Sequence, residues 1–235
     1  MTNIVLNLQA VRDRITTACI ASVRDAQSVR LVAVSKKFGP DAVLQAVAGG
    51  QRLFGENYIA EGVEKIAAVT PRLSAGVLLE WHCIGPVQSN KTRLVAEHFD
   101  WVQSVDRLKT AQRLSEHRPE GRAPLQVCIQ VNIDGGGNKS GVPPGELEAL
   151  AIEIAQLPGL QLRGIMAIPE PTPDFLATCA VHQKAKALLE QINSAGRLPL
   201  RLDTLSIGMT DDLEAAIHEG STMLRVGTAI FGSRS

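Results

Sequence analysis

Short apolar runs recur along this chain, each closed by glycine, proline or a polar loop and followed by a stretch of helical periodicity. The runs predict strands near 31–34 (LVAV), 52–54 (RLF), 79–84 (LEWHCI) and 101–104 (WVQS). Further strands are predicted near 125–133 (LQVCIQVNI), 160–168 (LQLRGIMAI), 203–207 (DTLSI) and 223–226 (MLRV). Between them, Pro40-Asp41 opens a helix that stops at Gly49-Gly50. Asp106 is placed to N-cap DRLKTAQRLSEH, and Pro143-Pro144 starts GELEALAIEIAQL. The segment MTNIVLNLQAVRDRI reads as one more amphipathic helix ahead of the first strand. Eight strands alternating with helices, apolar on both faces, predict a parallel sheet covered on both sides. Eight strands close a (β/α)8 barrel, and the 235 residues lie near its usual length of about 250. The expected fold is therefore α/β, a single TIM-type barrel with an extra N-terminal helix; a doubly wound open sheet is the alternative. No linker, low-complexity segment or short repeat interrupts residues 1–235, which read as one domain.

Composition narrows the partners. The 24 basic and 24 acidic residues cancel, so nothing marks a nucleic-acid or anionic-membrane surface. No apolar run reaches the length of a membrane span and the N-terminus does not read as a signal peptide, which makes the cytoplasm the expected location. The four cysteines, Cys19, Cys83, Cys128 and Cys179, are dispersed, two in predicted strands and two in predicted helices. They read as buried free thiols rather than disulfides or zinc ligands.

In a barrel, chemistry sits at the C-terminal ends of the strands. Those ends read Ser35-Lys36-Lys37, Gly55-Glu56-Asn57-Tyr58, His82 with Gly85, Ser104, Asn132, Met166 with Pro169, Ser206 through Thr210, and Gly227-Thr228. A lysine at a barrel mouth loses hydration, which lowers its pKa and leaves an amine able to attack a carbonyl. The competing reading of Lys36 is a surface lysine covering the sheet edge. Strand parity does not choose between Lys36 and Lys37, because both faces of a barrel strand are apolar. The seventh and eighth strands run into SIGMT and GT, each opening a predicted helix where backbone N–H groups can hold a phosphate; tight turns capped by Thr210 and Asp211 are the plainer alternative. The glycine run 135–137 lacks the lysine of a phosphate loop and reads as a turn. His98, His117, His182 and His218 fall in helical stretches and are expected at the solvent; His82 alone sits at a strand end, and the five show no metal spacing.

A strand-end lysine with a C-terminal phosphate cup suits an aldehyde-bearing phosphate ligand. The words AVSKK, FGENY, WHCIGPVQSNK, SVDR, NKSG, LRGIMAI, LSIGMTDD and RVGTAIFG, in that order, resemble the pyridoxal 5′-phosphate homeostasis protein family, itself similar to the barrel domain of the fold-type III alanine racemases. The resemblance implies pyridoxal 5′-phosphate (PLP) as cofactor, held as a Schiff base on Lys36. It implies Arg225 facing the pyridine nitrogen, the phosphate among Ser206, Thr210, Gly227 and Thr228, and Asn57 near the ring. Lys139, in NKSG, is implied near the mouth, with Met209 and His82 completing the contact set. Two departures stand out: Phe38 replaces a lysine frequent in relatives, and GGG precedes NKSG where acidic residues are common.

Three functions compete: a PLP carrier in vitamin B6 homeostasis with no dedicated catalysis, a PLP-dependent amino-acid racemase, and a cofactor-free Schiff-base aldolase. Racemisation needs an acid/base group on each face of a carbanion. In alanine racemases the second is a tyrosine from an additional domain, and Tyr58 is the single tyrosine here. An aldolase has no use for the arginine. The carrier is the expected function, acting as a monomer, with amino or keto acids and PLP-dependent apoenzymes as further partners.

Overall fold

The computed structural model describes residues 3–135 and 140–232. Its strands are β1 Arg30–Val34, β2 Leu53–Glu56, β3 Glu80–Cys83, β4 Trp101–Val105, β5 Leu125–Gln130, β6 Leu160–Met166, β7 Thr204–Ser206 and β8 Met223–Val226. They pair in chain order, all parallel, and β8 returns to β1 through the register Arg30↔Met223 to Ala33↔Val226, closing a barrel. The helices are α1 Ile4–Ala21, α2 Pro40–Ala48, α3 Ile59–Val69, α4 Thr92–His98, α5 Leu108–His117, α6 Leu147–Ile154, α7 Phe175–Ala195, α8 Leu213–His218 and α9 Thr228–Phe231. The TIM-type barrel expected from the eight apolar runs is the fold observed, and the open sheet is ruled out by the β1–β8 pairing.

The extra N-terminal helix is present. Asn3 caps α1 by accepting from the Leu6 N–H at 3.1 Å, and Ile4, Leu8, Val11, Ile15 and Ala18 bury one face at helical spacing. That face packs on α2, α8 and α9. In α2, Pro40 stands in the first turn and Gly49 is the C-cap, as the sequence predicts.

Strand parity separates two cores. Ala33, Phe54, Trp81, Val102, Val127, Ile165, Leu205 and Leu224 point outward beneath the helices. Val32, Trp101, Cys128, Met166 and Met223 form the smaller cluster inside the barrel. The inner rank also holds buried polar groups, among them His82, Gln103, Ser206 and Arg225. A barrel of eight short strands leaves little interior to fill, so each polar side chain admitted there must find partners.

Some boundaries differ from expectation. Asp106 does not cap α5: the N-cap is Arg107, without a side-chain bond, and the Asp106 carboxylate pairs with Arg107 Nε at 3.2 Å. β5 stops at Gln130 because Gly141 lets the chain fold back, so that the Val142 N–H donates to the Gln130 carbonyl and the Asn132 N–H to the Val142 carbonyl, each at 2.9 Å. β6 ends at Met166 rather than 168. All four cysteines are free and buried, in α1, β3, β5 and α7 as read from the sequence. His182 is a correction: it lies on α7 but is fully buried, with Nε2 3.1 Å from Asp212 Oδ2.

Candidate functional site

At the C-terminal mouth of the barrel lies a cavity of about 250 Å³. Val34, Lys36, Asn57, Ile84, Ile168, Met209, Thr210, Asp211, Arg225, Gly227 and Thr228 line it. It therefore gathers residues from β1, β2, β3, β6, β7 and β8 and their following loops, which only a closed sheet can bring to one point.

Lys36 arrives by parity and by a held turn. Val32 faces the barrel interior, Val34 lines the cavity, and Lys36 continues the same rank. Ser35, one residue off that rank, turns outward and donates from Oγ to Glu56 Oε1 at 2.6 Å. The buried Lys65 of α3 donates to the Ser35 carbonyl at 2.7 Å, to Glu56 Oε1 at 2.6 Å and to Glu61 Oε1 at 3.0 Å. Lys37 takes a left-handed φ of 66° and gives its N–H to Glu61 Oε1 at 2.5 Å. Its ammonium sits in solvent, 5.9 Å from the Tyr58 ring centroid. Of the two lysines, the structure brings Lys36 alone to the cavity. Burial pushes the Glu56 carboxyl up, against the charge and hydrogen bonds of Lys65 and Ser35. Neither Lys65 nor Glu56 stands out in the sequence as a support, because a buried helix lysine is recognisable only once its partners are known.

The opposite wall is the loop 207–212. Gly208 has φ 94°, and a Cβ there would lie 2.5 Å from Ala216 Cβ and 2.7 Å from Leu224 Cδ2, so only glycine makes this turn. The Arg225 N–H donates to the Gly208 carbonyl at 3.0 Å. The Met209 N–H donates to Asp212 Oδ1 at 2.6 Å, and Arg14 of α1 donates to the Thr210 carbonyl at 2.9 Å and to Glu214. Desolvation would raise the Asp212 carboxyl, but hydrogen bonds from His182 and the Met209 N–H hold it below its ordinary value. Gly85 admits no Cβ, which would strike the Asn57 backbone, and so seats Asn57 against the third strand end.

Arg225 is buried on β8. Nη1 donates to the Ser206 carbonyl at 2.7 Å and to Ser206 Oγ at 2.6 Å, and Nη2 donates to the Ala167 carbonyl at 2.9 Å. None of the three acceptors is a carboxylate. Burial lowers its pKa to about 10, with Asp212 and Cys128 acting the other way, so it stays a cation at neutral pH.

Two expected contacts fall elsewhere. His82 is fully buried below the cavity, with Nε2 2.7 Å from Glu80 Oε1 and Nδ1 2.9 Å from Gln103 Nε2, so neither ring nitrogen faces the mouth. The Ser206 hydroxyl donates to Gln103 Oε1 at 2.6 Å and is not among the cavity walls. Lys139, with Gly136 and Gly137 of the glycine run, lies outside the described residues. The cavity adds Val34, Ile84, Ile168 and Asp211, none of which the sequence marked as a binding residue; the first three are apolar and carry no chemical signature, and Asp211 read only as a turn cap. Although the histidines show no metal spacing, Cys179, His218 and Glu219 bring donor atoms within 4.8 Å of one another, away from the cavity.

Fold and mouth together are those of a closed eight-stranded barrel with a lysine, an arginine and two threonines on one cavity, and the alanine racemase N-terminal domain family matches residues 6–235. Within that class, the chain belongs to the pyridoxal phosphate homeostasis protein family. It is 53% identical over 234 residues to the pyridoxal phosphate homeostasis protein of Pseudomonas aeruginosa, covering 100% of this chain and 97% of the relative. Identity to the same-named protein of Haemophilus influenzae is 52% over 234 residues, with 99% and 97% covered. Among solved structures, PipY of Synechococcus elongatus with PLP bound matches at a TM-score of 0.83 and 35% identity, covering 97% of this chain and 100% of that one. An alanine racemase of Clostridium difficile shares the fold alone, at a TM-score of 0.72 and 17% identity over 99% of this chain and 57% of its own. No helix among the described residues is long and apolar enough to cross a membrane.

Proposed function

We propose that this chain binds PLP in the mouth cavity, with Lys36 as the amine that holds the aldehyde, and serves in vitamin B6 homeostasis by supplying or buffering the cofactor. The observation that carries the reading is the convergence of Lys36, Asn57, Thr210, Arg225, Gly227 and Thr228 on one cavity in a member of this family. The donor set fits the cofactor. Arg225 is a buried cation without a carboxylate acceptor, and Asn57 Oδ1 is a buried acceptor without a hydrogen-bond partner, so a polar ligand improves both. When bound, PLP supplies an aldehyde carbon that a neutral amine attacks reversibly. Thr210 and Thr228 would offer hydroxyl donors to the phosphate, with Gly227 beside them on the cavity wall. Arg225 remains a cation at neutral pH, so toward a bound ring nitrogen it would donate a hydrogen bond rather than a proton, which would leave the ring a weaker electron sink.

Tyr58 is 51% exposed beside Lys37, which favours a carrier over a racemase. The finer reading is a monomer in the cytoplasm that passes PLP to dependent apoenzymes and admits amino or keto acids; four buried free thiols support a reducing compartment. The test is the absorbance spectrum of the purified protein with and without borohydride, followed by peptide mass mapping. The expected result is a yellow protein whose reduced cofactor maps to Lys36; a modified peptide centred on Lys37 or Lys139 would overturn the assignment.

A further inference from the structure

The inner rank of the barrel carries one unbroken line of hydrogen bonds from its N-terminal end to the cavity. Arg30 Nη2 and His82 Nε2 meet Glu80 Oε1 at 2.6 and 2.7 Å. Gln103 Nε2 lies 2.9 Å from His82 Nδ1, and Gln103 Oε1 accepts from Ser206 Oγ at 2.6 Å. Ser206 Oγ in turn accepts from Arg225 Nη1 at 2.6 Å. His82, Gln103 and Ser206 are each fully buried, so no water corrects a wrong orientation.

The line has one direction. A carboxylate only accepts, so the His82 proton sits on Nε2 and Nδ1 must accept. That requirement points the Gln103 amide nitrogen at His82, where its second hydrogen reaches Met223 Sδ at 3.1 Å, and points the carbonyl oxygen at Ser206. Ser206 has one hydroxyl proton, which goes to Gln103, so only its lone pairs face Arg225. The reversed amide would set its oxygen against Nδ1 and require an imidazolium. Burial opposes that cation, holding the His82 pKa below its ordinary value; Glu80 and Asp100 act the other way, and Arg30 adds to the lowering. With its proton given to Gln103, the Ser206 hydroxyl has none left to donate to a phosphate.

We propose that Gln103 is a positioning residue for the cofactor's ring nitrogen, because it fixes the polarity of the Glu80–His82–Gln103–Ser206 line and thereby holds Arg225. Gln103 is not among the cavity walls and acts through Ser206. The proposal rests on the PLP reading above. It explains why a carboxamide stands in WVQS inside a barrel whose other mid-height residues include Val32, Cys128 and Met223.

The test compares two ligands, PLP and its analogue with CH in place of the ring nitrogen, titrated into wild type, Gln103→Met and Ser206→Ala by absorbance. Both variants are expected to weaken PLP by about tenfold while changing the analogue's affinity little, since only PLP offers the ring acceptor. The preference of wild type for PLP over the analogue should shrink accordingly. Nitrogen NMR of the ligand-free wild type should find His82 neutral with its proton on Nε2. Should Gln103→Met fail to fold, Ser206→Ala alone decides, because a phosphate-binding Ser206 would cost both ligands equally. Equal losses for the two ligands, unchanged PLP affinity, or an Nδ1–H tautomer would overturn the inference and leave PLP binding standing. Wild type that takes up neither ligand would overturn the PLP reading as well.

Discussion

The ammonium of Lys37 stands in solvent near the Tyr58 ring, while the side chain one residue earlier enters the barrel mouth. Lys36→Ala should therefore abolish the cofactor absorbance yet retain weak PLP binding, because the hydroxyl donors are separate from the amine; equilibrium dialysis against PLP measures the remainder. Thr210→Ala removes one donor to a charged acceptor and should weaken PLP by about 1.5–3 kcal/mol, read by titration. Unchanged affinity would mean that backbone amides hold the phosphate alone. At this scale the sequence was legible where a residue's chemistry is unusual for its place, as with a lysine at a strand end. It was silent where a role needs register. Lys36 is chosen over Lys37 by the rank of Val32 and Val34, which becomes visible only when Ala33 is seen to lie beneath the helices. His82 and Ser206 sit at the expected ends of their strands but are absorbed by a polar line inside the barrel.

Two elements hold the walls of the cavity, and each gives a prediction. On α3, Lys65 bonds the Ser35 carbonyl and Glu56, whose Oε2 has no partner of its own. Lys65→Met leaves that carboxyl buried without its cation and should cost about 3–5 kcal/mol, a fall in thermal midpoint of roughly 6–20 °C. Adding Glu56→Gln should recover part of the loss, since no uncompensated charge remains. In the loop 207–212, Asp212 joins His182 of α7 to the Met209 N–H. Its native pKa lies below the ordinary 3.8, so below that value the unfolded chain binds the extra proton first and stability falls with pH. The contribution is complete above the ordinary value and is lost as pH drops through the native one. Thermal midpoints measured from pH 6 to pH 3 should fall more gently in Asp212→Asn than in wild type. Helix limits were well read where Pro40 and Gly49 mark them, and poorly where Asp106 met an arginine partner instead of the helix it precedes.

Across the whole molecule, the barrel was legible because eight apolar runs alternate with helices and a closed parallel sheet needs little more to be specified. What the runs did not convey is the polar interior, since alternate inward residues such as His82 and Gln103 look like defects in an apolar strand until a second strand supplies their partners. That architecture bears on catalysis. Moving an α-proton of a bound amino acid from one face to the other requires two groups that exchange protons on opposite sides of the carbanion. Among the described residues lining the cavity, the titratable side chains are Lys36, Asp211 and Arg225. Arg225 stays a cation and is committed to Ser206 and Ala167, and Asp211 is exposed rather than fixed in the wall. Tyr58 points away. Lys36 can serve one face, and missing the second partner costs roughly 10²–10⁴-fold. Incubation with L-alanine, L-serine or L-lysine in deuterated water should therefore show negligible exchange of the α-proton on the timescale of ordinary enzyme turnover. Rapid deuterium incorporation that disappears in Lys36→Ala would reverse the carrier reading and make the cavity the active site of a racemase.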